Sequence, residues 1–195
     1  NGASGLELKH NLNQIPEMIW CKNRNRNPGR QWVIYHLGLN GGTTPQNYHL
    51  HFDNSVENAT ASQWNNTAPT ALTFTVGNDG DVNYDGDNHM AMLFSSVSGI
   101  SKCGYYTGTG SSLDITTGFQ PRFLIVKRVD ASQEWFTVDT TRGWASGNDQ
   151  YLTLNSNNAQ AAFNLGTPIS TGFTVDATSD GWNTSGGKYI YYCHA

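Results

Sequence analysis

The chain has 195 residues with a formal net charge of −4, and 13% of its residues are charged whereas 12% are aromatic. Many aromatic residues with little charge exclude an intrinsically disordered chain, and the acidic balance argues against nucleic acid as a partner. No apolar run approaches the roughly 20 residues that a membrane crossing requires, so we expect no membrane insertion.

Short apolar or alternating runs, each the length of a β-strand, follow one another along the chain. They lie at residues 18–21, 32–35, 48–52, 72–76, 90–94, 123–126, 135–138 and 172–175. The run at 123–126 is apolar on both faces and predicts a central strand covered from both sides, with 18–21 as its counterpart. Turn-forming Gly and Asn residues separate the runs. At most a single helical turn is expected near residues 55–64 and near residues 156–163.

The second half of the chain repeats the pattern of the first half. Lys22 and Lys127 each end an apolar run that follows a Pro. A Trp then opens the next run, and a Tyr follows that Trp after 16 residues in both halves. The matched pairs include Leu6–Leu8 with Leu113–Ile115, Trp32 with Trp135, Tyr48 with Tyr151, Phe74–Val76 with Phe173–Val175, and Asn83–Gly86 with Asn183–Gly186. Ordered pairs at a nearly constant offset predict a tandem duplication.

The predicted fold class is all-β, an antiparallel β-sandwich of about a dozen strands built from two tandem sequence repeats with pseudo-twofold character. Each repeat supplies about six strands with one apolar face, and the other repeat is the expected second layer. We place the first repeat at residues 1–99 and the second at 100–195, packed as one compact unit. Because the sequence begins at Asn1 rather than Met, we expect a processed or C-terminal fragment of a longer protein.

The three cysteines, Cys21, Cys103 and Cys193, are widely separated and odd in number. This arrangement argues against both a disulfide framework and a zinc site. We expect buried free thiols.

Several motifs of the chain are distinctive as a set. They are residues 64–69 (Trp-Asn-Asn-Thr-Ala-Pro), 106–111 (Tyr-Thr-Gly-Thr-Gly-Ser), 117–121 (Thr-Gly-Phe-Gln-Pro), 139–142 (Asp-Thr-Thr-Arg) and 185–191 (Ser-Gly-Gly-Lys-Tyr-Ile-Tyr). With them the chain resembles the C-terminal repeat region of tail-fibre-type proteins of tailed bacteriophages, common in marine and cyanobacterial viruses. The resemblance implies a virion protein at the phage tail that faces the host surface. Its partners would be other virion proteins and a host cell-surface glycan or protein, and fibres usually act as homotrimers.

Four aromatic residues in predicted loops are the candidate contacts for such a partner. Trp64, Tyr84, Trp144 and Trp182 have Gly, Asn and Ser neighbours, a composition typical of binding loops. Their rings offer contact area at a low cost in side-chain entropy. The alternative is that they pack at hairpin tips, whereas Trp32 and Trp135, which lie in strand-like runs, are expected in the core.

Residues 81–87 have the spacing of a calcium-binding loop, with oxygen-bearing side chains at alternate positions and a Gly at the turn. The candidate ligands are Asp81, Asn83, Asp85 and Asp87. Met92 stands where such a loop carries a bidentate Glu, so an Asx-rich turn without metal is the alternative. No other cofactor is expected. His49 and His51, on one strand face, form a weaker metal hypothesis, with solvent-facing histidines as its alternative.

We expect no catalytic activity. Polysaccharide hydrolysis needs a carboxylate pair flanking a cleft, and none of the four Glu residues belongs to a recognisable motif. The predicted function is therefore a non-catalytic tail-fibre or tail-tip module that contacts a host receptor or glycan. The alternatives are a purely structural virion protein, for capsid decoration or fibre assembly, and a polysaccharide depolymerase whose carboxylates meet only on folding.

Overall fold

The computed structural model describes residues 2–26, 29–176, 179 and 181–195. The described residues form sixteen strands in antiparallel sheets, which confirms the predicted all-β class. The chain forms two compact units. Unit 1 comprises Asn1–Phe52 and Glu57–Ser95, and unit 2 comprises Asp53–Val56 and Ser96–Ala195.

Unit 1 contains a five-stranded and a two-stranded sheet. Its strands are β1 (Leu6–Lys9), β2 (Met18–Asn23), β3 (Trp32–His36), β4 (Tyr48–His51), β5 (Asn58–Ala59), β6 (Thr73–Val76) and β7 (His89–Phe94). The larger sheet has the order β5-β4-β3-β2-β7, and β1 pairs with β6. Two 3-10 turns, Leu39–Gly42 and Pro45–Asn47, precede β4.

Two helical turns in unit 1 each begin at a capping side chain. Helix α1 (Ala61–Trp64) begins after Thr60, whose side-chain oxygen accepts from the Ser62 N–H, and it confirms the helical turn expected near residues 55–64. Helix α2 (Gly80–Asn83) begins after Asp79, which accepts from the Asp81 N–H in the same way. Such caps satisfy N–H groups that a helix start otherwise leaves unpaired. None of the helices among the described residues has the length and hydrophobicity that a membrane crossing requires.

Unit 2 contains a six-stranded and a three-stranded sheet. Its strands are β8 (Ser101–Thr107), β9 (Leu113–Thr116), β10 (Phe123–Arg128), β11 (Trp135–Asp139), β12 (Asp149–Thr153), β13 (Ala161–Phe163), β14 (Pro168–Ile169), β15 (Gly172–Val175) and β16 (Lys188–His194). The sheet orders are β13-β12-β11-β10-β16-β8 and β14-β15-β9. The helical turn expected near residues 156–163 is wrong, because the chain returns beside β12 and residues 161–163 pair with it as β13.

The larger sheets of the two units share one strand order. β5-β4-β3-β2-β7 in unit 1 corresponds to β13-β12-β11-β10-β16 in unit 2. Two of the predicted residue pairs lie on corresponding strands, since Lys22 lies opposite Trp32 and Lys127 lies opposite Trp135. Trp135 is buried, as expected, whereas Trp32 is only half-buried, so the core position predicted for Trp32 is wrong in part.

Each unit has a two-layer core of its own. The unit 1 core includes Ile19 and Cys21 of the larger sheet with Phe74 and Val76 of the smaller one. In unit 2, Leu124 and Val126 of β10 join Phe173 and Val175 of β15 in the same way. The sequence predicted the strands at 72–76 and 172–175 but not that they pair into a second layer within their own unit, because strand pairing depends on contacts between distant segments.

Two further expectations are confirmed. Leu124, Ile125 and Val126 are at most 4% exposed, so β10 is covered on both faces. The three cysteines are buried and free. Burial raises the pKa of the Cys21 and Cys193 thiols to about 12, which keeps both thiols protonated and unreactive at neutral pH.

Candidate binding cleft in unit 2

An open cleft of about 280 Å³ lies in unit 2. Its size lies near the lower end of ordinary small-ligand sites. Its lining combines four aromatic side chains with a few polar ones: Gln133, Phe136, Tyr151, Phe163, Leu165, Ser179, Gly181 and Trp182. A largely apolar cavity with a small number of polar groups is the usual composition of a ligand-binding pocket.

Strand register places three of the rings on one face of the larger sheet. Phe136 lies on the same face of β11 as the core residue Val138, because side chains alternate along a strand. Tyr151 of β12 lies opposite Val138, and Phe163 of β13 lies opposite Asp149. Phe163 is 48% exposed on the edge strand of the sheet, so this end of the apolar face is open to solvent.

The rings contact one another at the base of the cleft. The Phe136 centroid lies 5.5 Å from that of Tyr151 and 5.6 Å from that of Trp182. Gly181 allows this arrangement, because an added Cβ there would stand 2.4 Å from Phe136 Cε2. The floor of the cleft is therefore an aromatic cluster packed directly on the backbone.

The buried carboxylate of Asp149 holds the segment that carries Leu165. Its Oδ2 atom accepts hydrogen bonds from the N–H groups of Leu165 at 2.8 Å and Gly166 at 3.2 Å. Its Oδ1 atom accepts from the Ala145 N–H at 3.0 Å. Three donors satisfy a carboxylate that is fully buried, and they fix this wall of the cleft on β12.

A buried lysine holds the loop that carries Gln133. Lys127 is fully buried and its ammonium group donates to the backbone carbonyl of Gln133. Burial lowers the pKa of Lys127 to about 8, a shift that the negative charges of Asp53 and Glu134 partly offset. The Gln133 N–H donates to the Asn54 carbonyl at 3.1 Å, so both backbone groups of Gln133 are tied down.

A second cavity of about 230 Å³ adjoins the cleft and shares Phe136 and Tyr151 with it. Its other lining residues are Glu134, Leu152, Thr153, Asn158, Ala159 and Ala161. The Glu134 carboxylate accepts a hydrogen bond from the Asn155 amide, and Asn155 Oδ1 accepts from the Trp135 N–H at 2.9 Å. The two shared rings therefore form the partition between neighbouring cavities.

Three of the four aromatic residues predicted to contact a partner lie in the protein interior. Trp64, Trp144 and Trp182 are each 2% exposed. Trp64 packs edge-on against Tyr35, and Trp144 Nε1 donates to the Gly166 carbonyl at 2.9 Å. Trp182 lines the cleft only as part of its floor. A buried indole offers little surface to a partner, so the burial of Trp64 and Trp144 matches the packing alternative, whereas Trp182 also lines the cleft.

Tyr84, the fourth predicted contact residue, is 38% exposed in unit 1. The Arg26 guanidinium carbon lies 3.9 Å from the centre of its ring, within cation–π distance. One face of this ring is thus already occupied by a side chain of the same unit.

The predicted calcium ligands diverge toward different partners. Asp87 Oδ2 lies 2.6 Å from Arg26 Nε and accepts from Asn23 Nδ2 at 2.8 Å, and this amide and guanidinium lower the pKa of Asp87. Asp81 Oδ1 lies 3.7 Å from Arg30 Nη1. Asp85 is exposed beyond the end of α2.

Asn83, the remaining calcium candidate, is 4% exposed and donates through its amide to the carbonyls of Ala3 and Gly77. Because residues 80–83 form a helical turn rather than a metal-binding loop, their side chains do not converge. Over the described ranges, no group of three or more His, Cys, Asp or Glu residues is placed to hold a metal ion. Residues 80–83 therefore form a capped helical turn, and calcium binding by residues 81–87 stays a prediction.

The two histidines of β4 lie in contact, with ring centroids 4.9 Å apart. His49 is 4% exposed, so the expectation that it faces solvent is wrong. His51 Nδ1 lies 2.9 Å from the Trp32 carbonyl oxygen. The carboxylate of Glu57 accepts a hydrogen bond from the Asn40 N–H at 2.6 Å.

Phe136, Tyr151 and Phe163 are not among the site residues predicted from the sequence. Phe136 and Tyr151 had the alternation of strand residues, which predicts a core position as readily as a site. For Phe163 the sequence did contain a signal. Its neighbours are Asn, Ala and Gln, a composition that is unusual for a buried segment, so an exposed Phe could be expected there.

Comparison with protein families gives one match: the family model described as a domain of unknown function, DUF7483, covers residues 1–195. No curated protein and no solved structure matches the chain.

Proposed function

We propose that this chain, which belongs to the DUF7483 family over its whole length, is a non-catalytic module of a bacteriophage tail fibre or tail tip. In this proposal it resides on the virion and contacts a receptor or glycan on the host surface. The cleft of unit 2 is the contact site. Other virion proteins would hold the module in place.

The observation that carries the proposal is the open aromatic cleft at the edge of the larger sheet. Phe136 and Tyr151 are half-buried and Phe163 is 48% exposed, so their rings can contact a ligand without unfolding. Gln133 and Ser179 add polar groups to the lining. Aromatic anchors with a few polar groups are typical of recognition surfaces, and the tail-fibre resemblance suggests what is recognised.

The carboxylate content of the lining supports binding rather than hydrolysis. Among the described lining residues of the two cavities, Glu134 is the one carboxylate. It accepts a hydrogen bond from Asn155 and faces no second carboxylate in either lining. Hydrolysis by a carboxylate pair would need a partner group about 5 to 10 Å away. This composition favours attachment over a depolymerase activity.

A homotrimeric fibre would strengthen a weak site. A cleft of about 280 Å³ offers a small contact area, and three copies on one fibre gain affinity through effective concentration without any new contact. The proposal therefore includes a homotrimer, whose state is measurable by light scattering with the purified chain.

The direct test is binding of the fluorescently labelled chain to a panel of bacterial strains. Phe163→Ser should lower the bound fraction at least tenfold on a strain that binds the wild type. The matched control is Tyr105→Ser, since Tyr105 is also 48% exposed and lies on β8, the opposite edge strand of the same sheet. Equal losses in both variants would contradict the cleft as the contact site.

A purely structural virion role is the second candidate, and the burial of Trp64, Trp144 and Trp182 favours it. These rings stabilise the fold instead of facing a partner. A chain that binds none of the strains and does not block infection, yet is retained in assembled particles, would support the structural role.

A further inference from the structure

We infer that the two cavities joined by Phe136 and Tyr151 bind neighbouring rings of an uncharged oligosaccharide. This inference rests on the proposed attachment function and names the chemical class of its ligand.

The dimensions indicate a ligand that extends over both cavities. Their volumes are about 280 Å³ and about 230 Å³. Each is below the roughly 300 Å³ at which drug-sized ligand sites begin, so each suits one small ring. Because Phe136 and Tyr151 line both cavities, two adjacent rings of one molecule can lie on either side of this partition.

The lining chemistry matches a sugar ring, which has apolar C–H faces and hydroxyl groups around its edge. In the first cavity the ring faces can rest on Phe136, Tyr151 and Phe163 through dispersion contacts. Hydroxyl groups that leave water need hydrogen-bonding partners. Gln133 and Ser179 can supply them in the first cavity, and Thr153 and Asn158 can supply them in the second.

The charge of the lining selects an uncharged ligand. The described lining residues of both cavities include neither Lys nor Arg, the side chains that usually bind carboxylate or phosphate groups. Lys127 lies nearby but its ammonium group is buried and donates to the Gln133 carbonyl. Glu134 places a negative charge in the second cavity, which would repel an acidic sugar there.

The experiment is isothermal titration of the full chain with defined sugars. The probes are gluco-, manno- and galacto-oligosaccharides of one, two and four rings, with tetragalacturonate as the acidic counterpart. We expect at least one neutral series to bind, with the two-ring sugar at least tenfold tighter than the one-ring sugar. Tetragalacturonate should bind at least tenfold more weakly than the neutral four-ring sugar.

Variants separate the two cavities. Phe163→Ser should weaken the binding of one-ring and two-ring sugars alike, because Phe163 lines the first cavity. Asn158→Ala should weaken only the longer sugars, with Asn164→Ala, also exposed, as its matched control. Glu134→Gln should reduce the difference in affinity between the neutral and the acidic four-ring sugars.

Three results would overturn the inference: binding of no neutral probe, an affinity independent of length, or a preference for the acidic tetramer. The proposed function has a separate readout. If the chain binds cells and neutral oligosaccharides do not compete with this binding, the inference about the ligand is refuted, whereas the proposed attachment function is still supported. Sugar binding without binding to any strain would refute attachment and leave the chemistry of the cleft standing.

Discussion

Five strands follow one order in the larger sheets of units 1 and 2, yet the cavities of the two units differ. Unit 2 has an open cleft of about 280 Å³, whereas the cavity between Ile19, Tyr35 and Trp64 of unit 1 has no room for a water molecule. Val33 of unit 1 corresponds to Phe136, since each follows the paired Trp, and Val82 corresponds to Trp182, since each precedes the paired Asn. Val33 and Val82 are at most 3% exposed. Two small buried residues in one unit are thus replaced by two large rings in the other.

The loop before the second central strand differs as well. Lys22 donates to the Arg30 carbonyl at 2.5 Å, as Lys127 donates to the Gln133 carbonyl, so Arg30 and Gln133 occupy corresponding places. The Arg30 guanidinium packs on Gly80, where an added Cβ would stand 2.4 Å from Nη2, whereas Gln133 borders a cavity. The comparison shows that the side chains over the sheet, and not the strand order, decide whether a site exists.

The largest change in stability is expected for the tryptophans that fill the two cores. Trp64 enters the core of unit 1 from α1, and Trp144 enters that of unit 2 from the turn between β11 and β12. We expect Trp64→Ala and Trp144→Ala each to lower the free energy of unfolding by about 3–5 kcal/mol, because each leaves a large cavity. Urea denaturation followed by circular dichroism measures this. A cost below 1 kcal/mol for either would show that its unit is not packed as described.

Lys127 gives the next largest effect, as a dependence on pH. Its pKa is lowered from 10.5 to about 8, so between these values the unfolded chain holds the proton more tightly than the folded chain. The destabilisation is therefore full below pH 8 and is relieved as the pH rises toward 10.5. From pH 7 to 9.5 the wild type should gain roughly 2 kcal/mol relative to Lys127→Met.

Cys21 and Cys193, whose pKa values are raised to about 12, lower the stability of the fold as the pH rises, opposite to Lys127. Their effect is the same in the wild type and in Lys127→Met, so it cancels when the two proteins are compared. Lys127→Arg, which keeps its charge over this range, should also lack the gain. An equal rise in all three proteins would refute a buried titrating lysine.

An effect of comparable size is expected where the two units are most alike. Asn83 and Asn183 each bridge two backbone carbonyls through the side-chain amide, Ala3 and Gly77 in one unit and Ser111 and Val175 in the other. Asn83→Ala and Asn183→Ala should each cost about 2 kcal/mol, because the buried carbonyl of Gly77 or of Val175 loses its donor. Thermal unfolding measures this loss of stability. As a control, Asn164→Ala, at an exposed position, should change the free energy of unfolding by less than about 0.5 kcal/mol. Clearly unequal costs would break the equivalence of the two asparagines.

The smallest expected effect is at Tyr84. Tyr84→Leu removes the ring under Arg26 and should cost about 0.5–1 kcal/mol, the range of an exposed cation–π contact. The Arg26–Asp87 ion pair stays in place in this variant. A larger loss, measured by urea denaturation, would mean that Tyr84 supports more of unit 1 than its exposure indicates.

The sequence was sufficient for the strands and for the equivalence of particular residues. Phe123–Val126 has no polar face, and this alone predicts a strand covered on both sides. The pairs Lys22 with Lys127 and Trp32 with Trp135 were found by spacing, and they lie in the same cross-strand relation. Backbone periodicity depends on local sequence, which is why these predictions succeeded.

The cleft could not be predicted in the same way. Trp64, Trp144 and Trp182 have loop-forming neighbours, but neighbours do not determine whether a side chain points inward, and these three point inward. The position of Phe163 depends on β13 pairing with β12, a contact set by the chain reversal after Thr153. Whether an apolar ring is covered depends on distant segments, so exposure is a property of the assembled fold.

Gly181 gives the cleft a simple route to a different ligand size. Its missing methyl group is what lets the Phe136 ring lie against the backbone. Alanine there would push the Phe136 ring toward the opening and narrow the cleft, without changing the hydrogen bonds of the sheet. A larger residue at position 181 would therefore narrow the space for a ligand while the strands of the sheet stay unchanged.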